Sequence, residues 1–299
     1  MKQQKIRFII NPFSGLSKKK NVPVLIERYL PSSRFLYDIA FTRYAGHATE
    51  LAREAVENQY DMVVAVGGDG SVNEVARALI GSDTTLGILP GGSGNGFAMH
   101  LGMGRNIKKA ILLLSTAKTK TISIDTCSMN GRPFVNLAGV GFDALVACKS
   151  KKSTLRGFWA YLKFAILEAW RYTIEDYQIT IDGHSVNTSC LVIEIANAQM
   201  FGYNFVIAPQ AKLDDGLMDI LFVKKAPKWR YLLSLWRFFN RSFHKSKLVQ
   251  CYSGKEVHIS GKKPMPAHFD GEGFMMEEDL HFTIQPHSLK VLVPAHYHS

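Results

Sequence analysis

Short apolar runs alternate with stretches of helical periodicity through the first third of the chain. Lys5–Asn11, Phe35–Thr42, Met62–Val66 and Thr85–Leu89 read as strands. Val63, Val64, Ala65 and Val66 form an unbroken apolar run, the pattern of a strand buried on both faces of a parallel sheet. Helices are expected over Asn21–Leu30, Gly46–Gln59, Ser71–Ile80 and Ile107–Ala117. Strand and helix taken in turn predict a doubly wound α/β domain over residues 1–125. Beyond Asp125 the texture changes. Ile122–Met129, Pro133–Leu137, Gln178–Ile181, Ser189–Ala196, Met218–Val223, Lys255–Ser260 and His281–Ile284 all read as strands. They predict an antiparallel β-sandwich-like domain with inserted helices over residues 126–285. The fold class is therefore α/β plus β.

What lies between strand and helix carries the chemistry. After the run ending at Val66 come Gly67, Gly68, Asp69 and Gly70, and Ser71 and Glu74 stand at capping-box spacing. Glycines let a backbone turn tightly and approach a ligand with no Cβ in the way. A helix opening there points free N–H groups at the turn, an arrangement suited to phosphate. Asp69 is placed to steer Mg²⁺ or a hydroxyl. An ordinary strand-to-helix turn would explain one glycine, but not three around an acid. The device recurs at Gly91-Gly92-Ser93-Gly94-Asn95-Gly96, and the first strand ends in Asn11-Pro12-Phe13-Ser14-Gly15. Loops of this kind gather at the carboxyl edge of an open α/β sheet, where ligands bind. Gly139–Ala144 imitates a dinucleotide fingerprint, but the acid required about 20 residues on falls in an acid-poor segment, so that reading is rejected.

Charge changes the picture further along. The 299 residues carry a net charge of +11, unevenly spread. No acid lies between Asp143 and Glu168, or between Asp219 and Glu256. In the second stretch basic residues are interleaved with aromatics, and Trp229, Leu233, Trp236, Phe239 and Phe243 fall at helical spacing. A basic, aromatic, amphipathic helix suits an anionic membrane surface; a core-facing stripe is the competing reading. Signatures of nucleic-acid binding domains are absent. The first residues enter a strand without a signal peptide's apolar core, and no segment approaches the roughly 20 apolar residues needed to cross a bilayer. Cys127, Cys148, Cys190 and Cys251 are scattered, as in a protein of a reducing compartment. A cytoplasmic protein touching the membrane peripherally is expected.

Taken in order and spacing, Asn11–Gly15, Thr42–Ala52, Gly67–Val75, Leu89–Ala98, Asp214–Asp219 and Phe269–Gly273 resemble the diacylglycerol kinase catalytic-domain family, which includes bacterial soluble lipid kinases and the sphingosine kinases. The resemblance covers essentially the whole chain. It implies a nucleotide-binding first domain, completed by a returning segment at about residues 286–299, and a lipid-substrate second domain. The implied activity is ATP-dependent, Mg²⁺-requiring phosphorylation of a lipid hydroxyl in phospholipid metabolism. The implied ATP contacts are Asn11, Ser14 and Gly15; Thr42, Gly46 and His47; Gly67, Gly68, Asp69, Gly70, Ser71, Asn73 and Glu74; and Ser93, Gly94 and Asn95. His47 could instead simply cap a helix. Glu272 of the Asp270-Gly271-Glu272 turn is the implied general base, with Asp270 orienting it or acting with Mg²⁺, and Asp69 a competing base. Read alone, Asp270-Gly271 is also an ordinary hairpin turn. Asp215, with the backbone carbonyls of Lys212 and Leu217, is similar to a structural Mg²⁺ site of the family, a set of hard oxygen ligands. Asp125 is placed to reach the catalytic metal through water.

Gly96 departs from the family pattern, in which aspartate commonly follows the asparagine. Diacylglycerol, a sphingoid base or another lipid alcohol therefore all stay open as acceptors. So does oligomeric state, a homodimer included. Two other readings compete: an NAD kinase-like enzyme, which shares Gly-Gly-Asp-Gly, and a catalytically silent nucleotide- or lipid-binding module.

Overall fold

The computed structural model describes residues 3–14, 21–116, 118–151, 158–201, 205–234, 236–240, 242–277 and 279–297. They fall into two compact units, residues 1–125 with 286–299, and residues 126–285.

The first unit runs β1 (Gln4–Ile10), α1 (Val22–Tyr29), β2 (Phe35–Phe41), α2 (His47–Glu57), β3 (Met62–Gly67), α3 (Asp69–Leu79), β4 (Thr85–Pro90), α4 (Gly96–His100) and α5 (Ile107–Ser115). Its strands lie side by side in the order β2-β1-β3-β4, all parallel. Helices α2 and α3 pack together, as do α1 and α5. Every residue of β3 and β4 is buried. Burying Val63, Val64 and Val66 contributes about 1.5–3 kcal/mol each, which is why this run settles at the centre of the sheet. Helix α3 opens at Asp69, two residues before the capping-box expectation. Gly68 is its N-cap, no side chain caps it, and an acid in its first turn complements the helix dipole.

The second unit is antiparallel. It takes up the end of β5 (Thr119–Met129), then β6 (Arg132–Phe134), β7 (Leu137–Gly141), α6 (Phe142–Lys151), α7 (Phe158–Ala169), β8 (Glu175–Ile181), β9 (His184–Ala196), β10 (Met218–Lys224), α8 (Lys228–Ser234), α9 (Trp236–Phe239), β11 (Val249–Gly254), β12 (Glu256–Gly261), β13 (Met265–Phe269), β14 (Glu272–Met276) and the start of β15 (Leu280–Pro294). The order is β14-β13-β7-β9-β8-β12-β15, with β10 between β9 and β11. Its core is built from inward positions such as Phe134, Ile193, Ile195, Phe222 and Phe282. Because β7 pairs antiparallel with both β9 and β13, the strand-to-helix step at Gly139–Ala144 belongs to no βαβ unit.

Four expectations are corrected. The run Pro133–Leu137 is two strands, β6 and β7, with Val135 and Asn136 between them. The single amphipathic helix through Trp229–Phe243 is two short helices, α8 and α9, followed by a 3-10 turn at Phe243–Lys245; Phe243 is buried in the core instead of lying on the exposed stripe. The expected strands at His281–Ile284 and in the returning segment are one strand, β15. It leaves the second unit to lie parallel to β4 in the first, pairing Val291 with Leu86. Finally, the predicted α5 ends at Ser115, where Thr116 turns extended.

Candidate functional site

Three loops converge at the carboxyl ends of β1, β3 and β4. Asn11 N–H donates to the Val66 carbonyl at 3.0 Å, and its side-chain amide donates to Ser71 Oγ at 2.9 Å. Gly91 N–H donates to the Gly67 carbonyl at 2.7 Å. Glycine is demanded where the loops touch: a Cβ on Gly92 would stand 2.3 Å from the Gly68 Cα, and one on Gly67 would stand 2.4 Å from Ser71 Cβ. Asn95, buried and in the left-handed region at φ 53°, closes the third loop by exchanging two hydrogen bonds with Gly92, at 2.8 and 2.9 Å. Ser14 lies beside Gly67, while Ser93 is exposed and Gly94 half-buried in the same mouth. Gly15 lies outside the described residues.

Asp69 faces this third loop. Its carboxylate accepts from Phe97 N–H at 3.1 Å, and amides of Asn95 and Gly96 also point at it. Burial raises its pKa above the ordinary carboxylate range, and those amides pull it back. Other expected contacts hold the site together from behind. Glu74 accepts from Ala48 N–H at 3.2 Å, so it caps α2 instead of forming a capping box with Ser71. Thr42 is buried, with its N–H on the Ile10 carbonyl. Gly46, at φ 88°, is the N-cap of α2. His47 stacks on Tyr44 at 4.6 Å and accepts from Arg43 N–H at 3.1 Å. Asn73 is buried, and its side-chain oxygen has no partner among the described residues.

Replacing Gly92 with alanine is expected to force the two loops apart by about 1 Å, since real Cβ contacts do not fall under 3.0 Å, and to lower the thermal midpoint of unfolding. Thermal unfolding checks this, with an unchanged midpoint as the contrary result.

In the second unit the turn between β13 and β14 carries Asp270, Gly271 and Glu272. Asp270 is buried and sits at φ 46°. Its carboxylate accepts from Val135 N–H at 3.2 Å, Asn136 N–H at 3.0 Å and Leu137 N–H at 3.1 Å, and its own N–H donates to the Leu137 carbonyl at 2.7 Å. It is a staple. Glu272, two residues on, is exposed. The amides of 135–137 could not be foreseen, because they act through backbone and reach Asp270 across more than 130 residues of chain.

At the other sequence-predicted acid cluster, Asp215 is exposed and accepts from Leu217 N–H at 3.1 Å. Burial, then the charge of Asp215, pushes Asp219 up to about 6. Two carboxylates crowded in this way are oxygen donors of the kind that a hard divalent cation takes. Asp125, wholly buried in the first unit, accepts from His287 N–H at 2.7 Å.

An apolar, basic surface lies on α7 and the residue after it, α8 and the start of α9. Ile166, Leu167, Trp170, Trp229, Leu233 and Trp236 are all exposed, Trp170 by 76 %. Lys228 Nζ donates to the Trp170 carbonyl at 2.7 Å and lies over its ring, joining the two helices. Arg230 and Arg237 cover the rings of Trp229 and Trp236. No helix among the described residues is long and apolar enough to cross a membrane.

Comparison with known proteins adds to this geometry. The diacylglycerol kinase catalytic domain profile matches residues 5–129, and the YegS C-terminal NAD kinase beta sandwich-like domain profile matches residues 136–293. A diacylglycerol kinase of Bacillus subtilis (strain 168) is 28 % identical over 277 residues, 90 % of each chain. One from Staphylococcus carnosus (strain TM300) is 30 % identical over 278 residues, 90 % of this chain and 89 % of its own. The crystal structure of a diacylglycerol kinase from Bacillus anthracis str. Sterne superposes with a TM-score of 0.71 at 21 % identity, covering 98 % of both chains; it speaks for the fold.

Proposed function

We infer that this chain, which belongs to the diacylglycerol kinase family, is a lipid kinase that transfers the γ-phosphate of ATP to a lipid hydroxyl with Glu272 as general base. The observation that carries the reading is the meeting of three side-chain-poor loops at the carboxyl ends of β1, β3 and β4. Phosphoryl transfer asks mainly for positioning and neutralisation of charge. Gly68, Gly70 and the start of α3 offer amides to phosphate, with Asn11, Ser14, Ser71 and Asn95 shaping the mouth. Asp69, held by the amides of the third loop, orients that loop and would help to hold Mg²⁺. In the reaction the lipid O–H proton passes to Glu272, the oxygen forms a bond to the γ-phosphorus, and the bond to the β-phosphate oxygen breaks to leave ADP. Mg²⁺, when bound, would neutralise phosphate charge; a second, structural ion would be held by Asp215 with the carbonyls of Lys212 and Leu217. Exposed Glu272 suits an encounter with substrate, whereas Asp270 already serves three amides and fixes the turn.

The test is transfer of labelled γ-phosphate from Mg·ATP to a panel of lipids in mixed micelles, with NAD included. Labelling of one lipid class supports the reading and names the acceptor. Labelling of NAD alone overturns it in favour of an NAD kinase-like enzyme. ATP binding without transfer to any acceptor favours the silent module.

The substrate lies in a membrane, and the surface on α7 and α8 is suited to reach it. Exposed tryptophans backed by arginine and lysine bind the interface of an anionic bilayer. Replacing Trp170, Trp229 and Trp236 together by alanine is expected to weaken binding to vesicles containing phosphatidylserine by at least about tenfold. Turnover on a short-chain lipid in micelles is expected to stay near normal. Vesicle co-sedimentation at low and high salt checks this; unchanged binding would sink it.

A further inference from the structure

In the second unit, apart from the residues considered so far, three ionisable side chains meet in the interior. Asp143 stands in the first turn of α6, Glu194 near the carboxyl end of β9 and His268 on β13. Glu194 is wholly buried, His268 is 2 % exposed and Asp143 7 %. His268 Nε2 lies 2.5 Å from Asp143 Oδ2 and 3.3 Å from Glu194 Oε1. One ligand-type atom from each residue falls within 4.8 Å of the other two.

The grouping is poorly satisfied as it stands. Among the described residues, Glu194 Oε2 and Asp143 Oδ1 are buried and have no hydrogen-bond partner, and His268 Nδ1 is also unpartnered. Buried polar atoms are normally paired, and an orphaned set calls for a specific explanation such as an ion. Charge leads the same way, because two enclosed carboxylates face a single imidazole. Buried charges are paired or coordinate metals. The group packs directly on Gly139 of β7, where a Cβ would stand 2.8 Å from both Glu194 Oε1 and His268 Nε2, so only glycine lets these ligand atoms meet.

We propose that Asp143, Glu194 and His268 form a buried site for a divalent transition ion, with zinc as its first candidate. An imidazole nitrogen with two carboxylate oxygens suits zinc, manganese or iron(II) better than magnesium, which prefers oxygen ligands alone and keeps much of its water. The ion's two positive charges would balance the two carboxylates with the imidazole neutral. At ligand distances of about 2.0–2.2 Å, tetrahedral ligands stand roughly 3.3 Å apart. The His268–Glu194 pair already has that spacing, and the His268–Asp143 pair would open by less than about 1 Å, within reach of a side-chain rotation at the start of a helix. Such an ion would tie α6, β9 and β13 together just ahead of the turn that bears Asp270 and Glu272. The site is distinct from the Asp215 cluster, and its assignment does not depend on the lipid kinase reading.

The measurement is metal content by mass spectrometry of untagged protein made in zinc-supplemented medium and dialysed against a chelator. A His281→Ala background removes Glu256–His258–His281, a more exposed group that would also collect zinc. About one ion per chain is expected, falling to a small fraction in both Glu194→Gln and His268→Gln, with a lower thermal midpoint. Protein made in cobalt medium needs no variant of the buried group. Visible absorption of a tetrahedral nitrogen- and oxygen-ligated Co²⁺ supports the site. Folded protein that carries no ion and shows no cobalt band overturns it, as does an ion retained in full by both variants.

Discussion

Glu272→Gln is expected to lower turnover by about 10²–10⁴-fold, the usual contribution of a positioned general base, or about 3–5 kcal/mol in activation free energy. Glutamine keeps the shape of the side chain and removes only its capacity to take the acceptor proton. Glu272 is exposed, and no described residue makes a hydrogen bond or ion pair with its side chain, so folding should hardly notice the change. ATP affinity should also hold, because the loops that meet at β1, β3 and β4 are built without it. Rates on the lipid identified by the panel, read beside an unfolding curve, make the comparison. Near-normal turnover in a folded Glu272→Gln protein would sink the role.

The neighbouring carboxylate should behave in the opposite way. Asp270→Ala is expected to destabilise the second unit by about 3–5 kcal/mol, because the amides of Val135, Asn136 and Leu137 lose their acceptor inside the protein. That is a large part of a typical domain's stability. Alanine also tolerates the positive φ of this position less well than aspartate or asparagine. Asp270→Asn separates the contributions. It retains an oxygen able to serve Asn136 and Leu137, which share Oδ1, and loses the charge and the bond from Val135; about 1–3 kcal/mol is expected. Urea unfolding measures the loss, and residual turnover of folded Asp270→Asn should far exceed that of Glu272→Gln. If Asp270→Asn is as stable as the unchanged chain yet inactive, Asp270 works in the chemistry and the staple is the wrong description.

The contrast shows where the chain is legible from its residues. The first unit could be read strand by strand because each buried parallel strand is an apolar run and each is closed by small residues. The loops were visible for the same reason: glycines in number, flanking an acid, have few other uses. The second unit was read less well. Strands β13 and β14 carry Pro266, His268 and Gly273, which spoil alternation, and they exist because long-range pairing with β7 outweighs local preference. The aromatic stripe matched a helical period, yet Phe243 turned inward to fill a core that periodicity cannot see. Ser71 and Glu74 had the right spacing for a capping box but separate partners, Asn11 and Ala48, both remote in sequence. Least legible was the grouping of Asp143, Glu194 and His268. Three residues spread over more than 120 positions share no motif, and only the folded backbone brings them together.

Strand β15 imposes an order on biosynthesis. The segment from Pro286 onward lies beside β4, with Ser288 accepting from Gly81 N–H, Ala295 N–H bonded to Lys118 and Lys290 paired with Asp83. On a ribosome adding about 5–20 residues per second, that segment emerges roughly 8–30 seconds after Asp125. Throughout that interval the nascent first unit has β4 as a bare edge, an open template for another chain. The glycine loops can form early, but their sheet stays unfinished until the whole second unit has been made. Chaperone dependence and sensitivity to truncation should therefore concentrate on the nascent edge at β4.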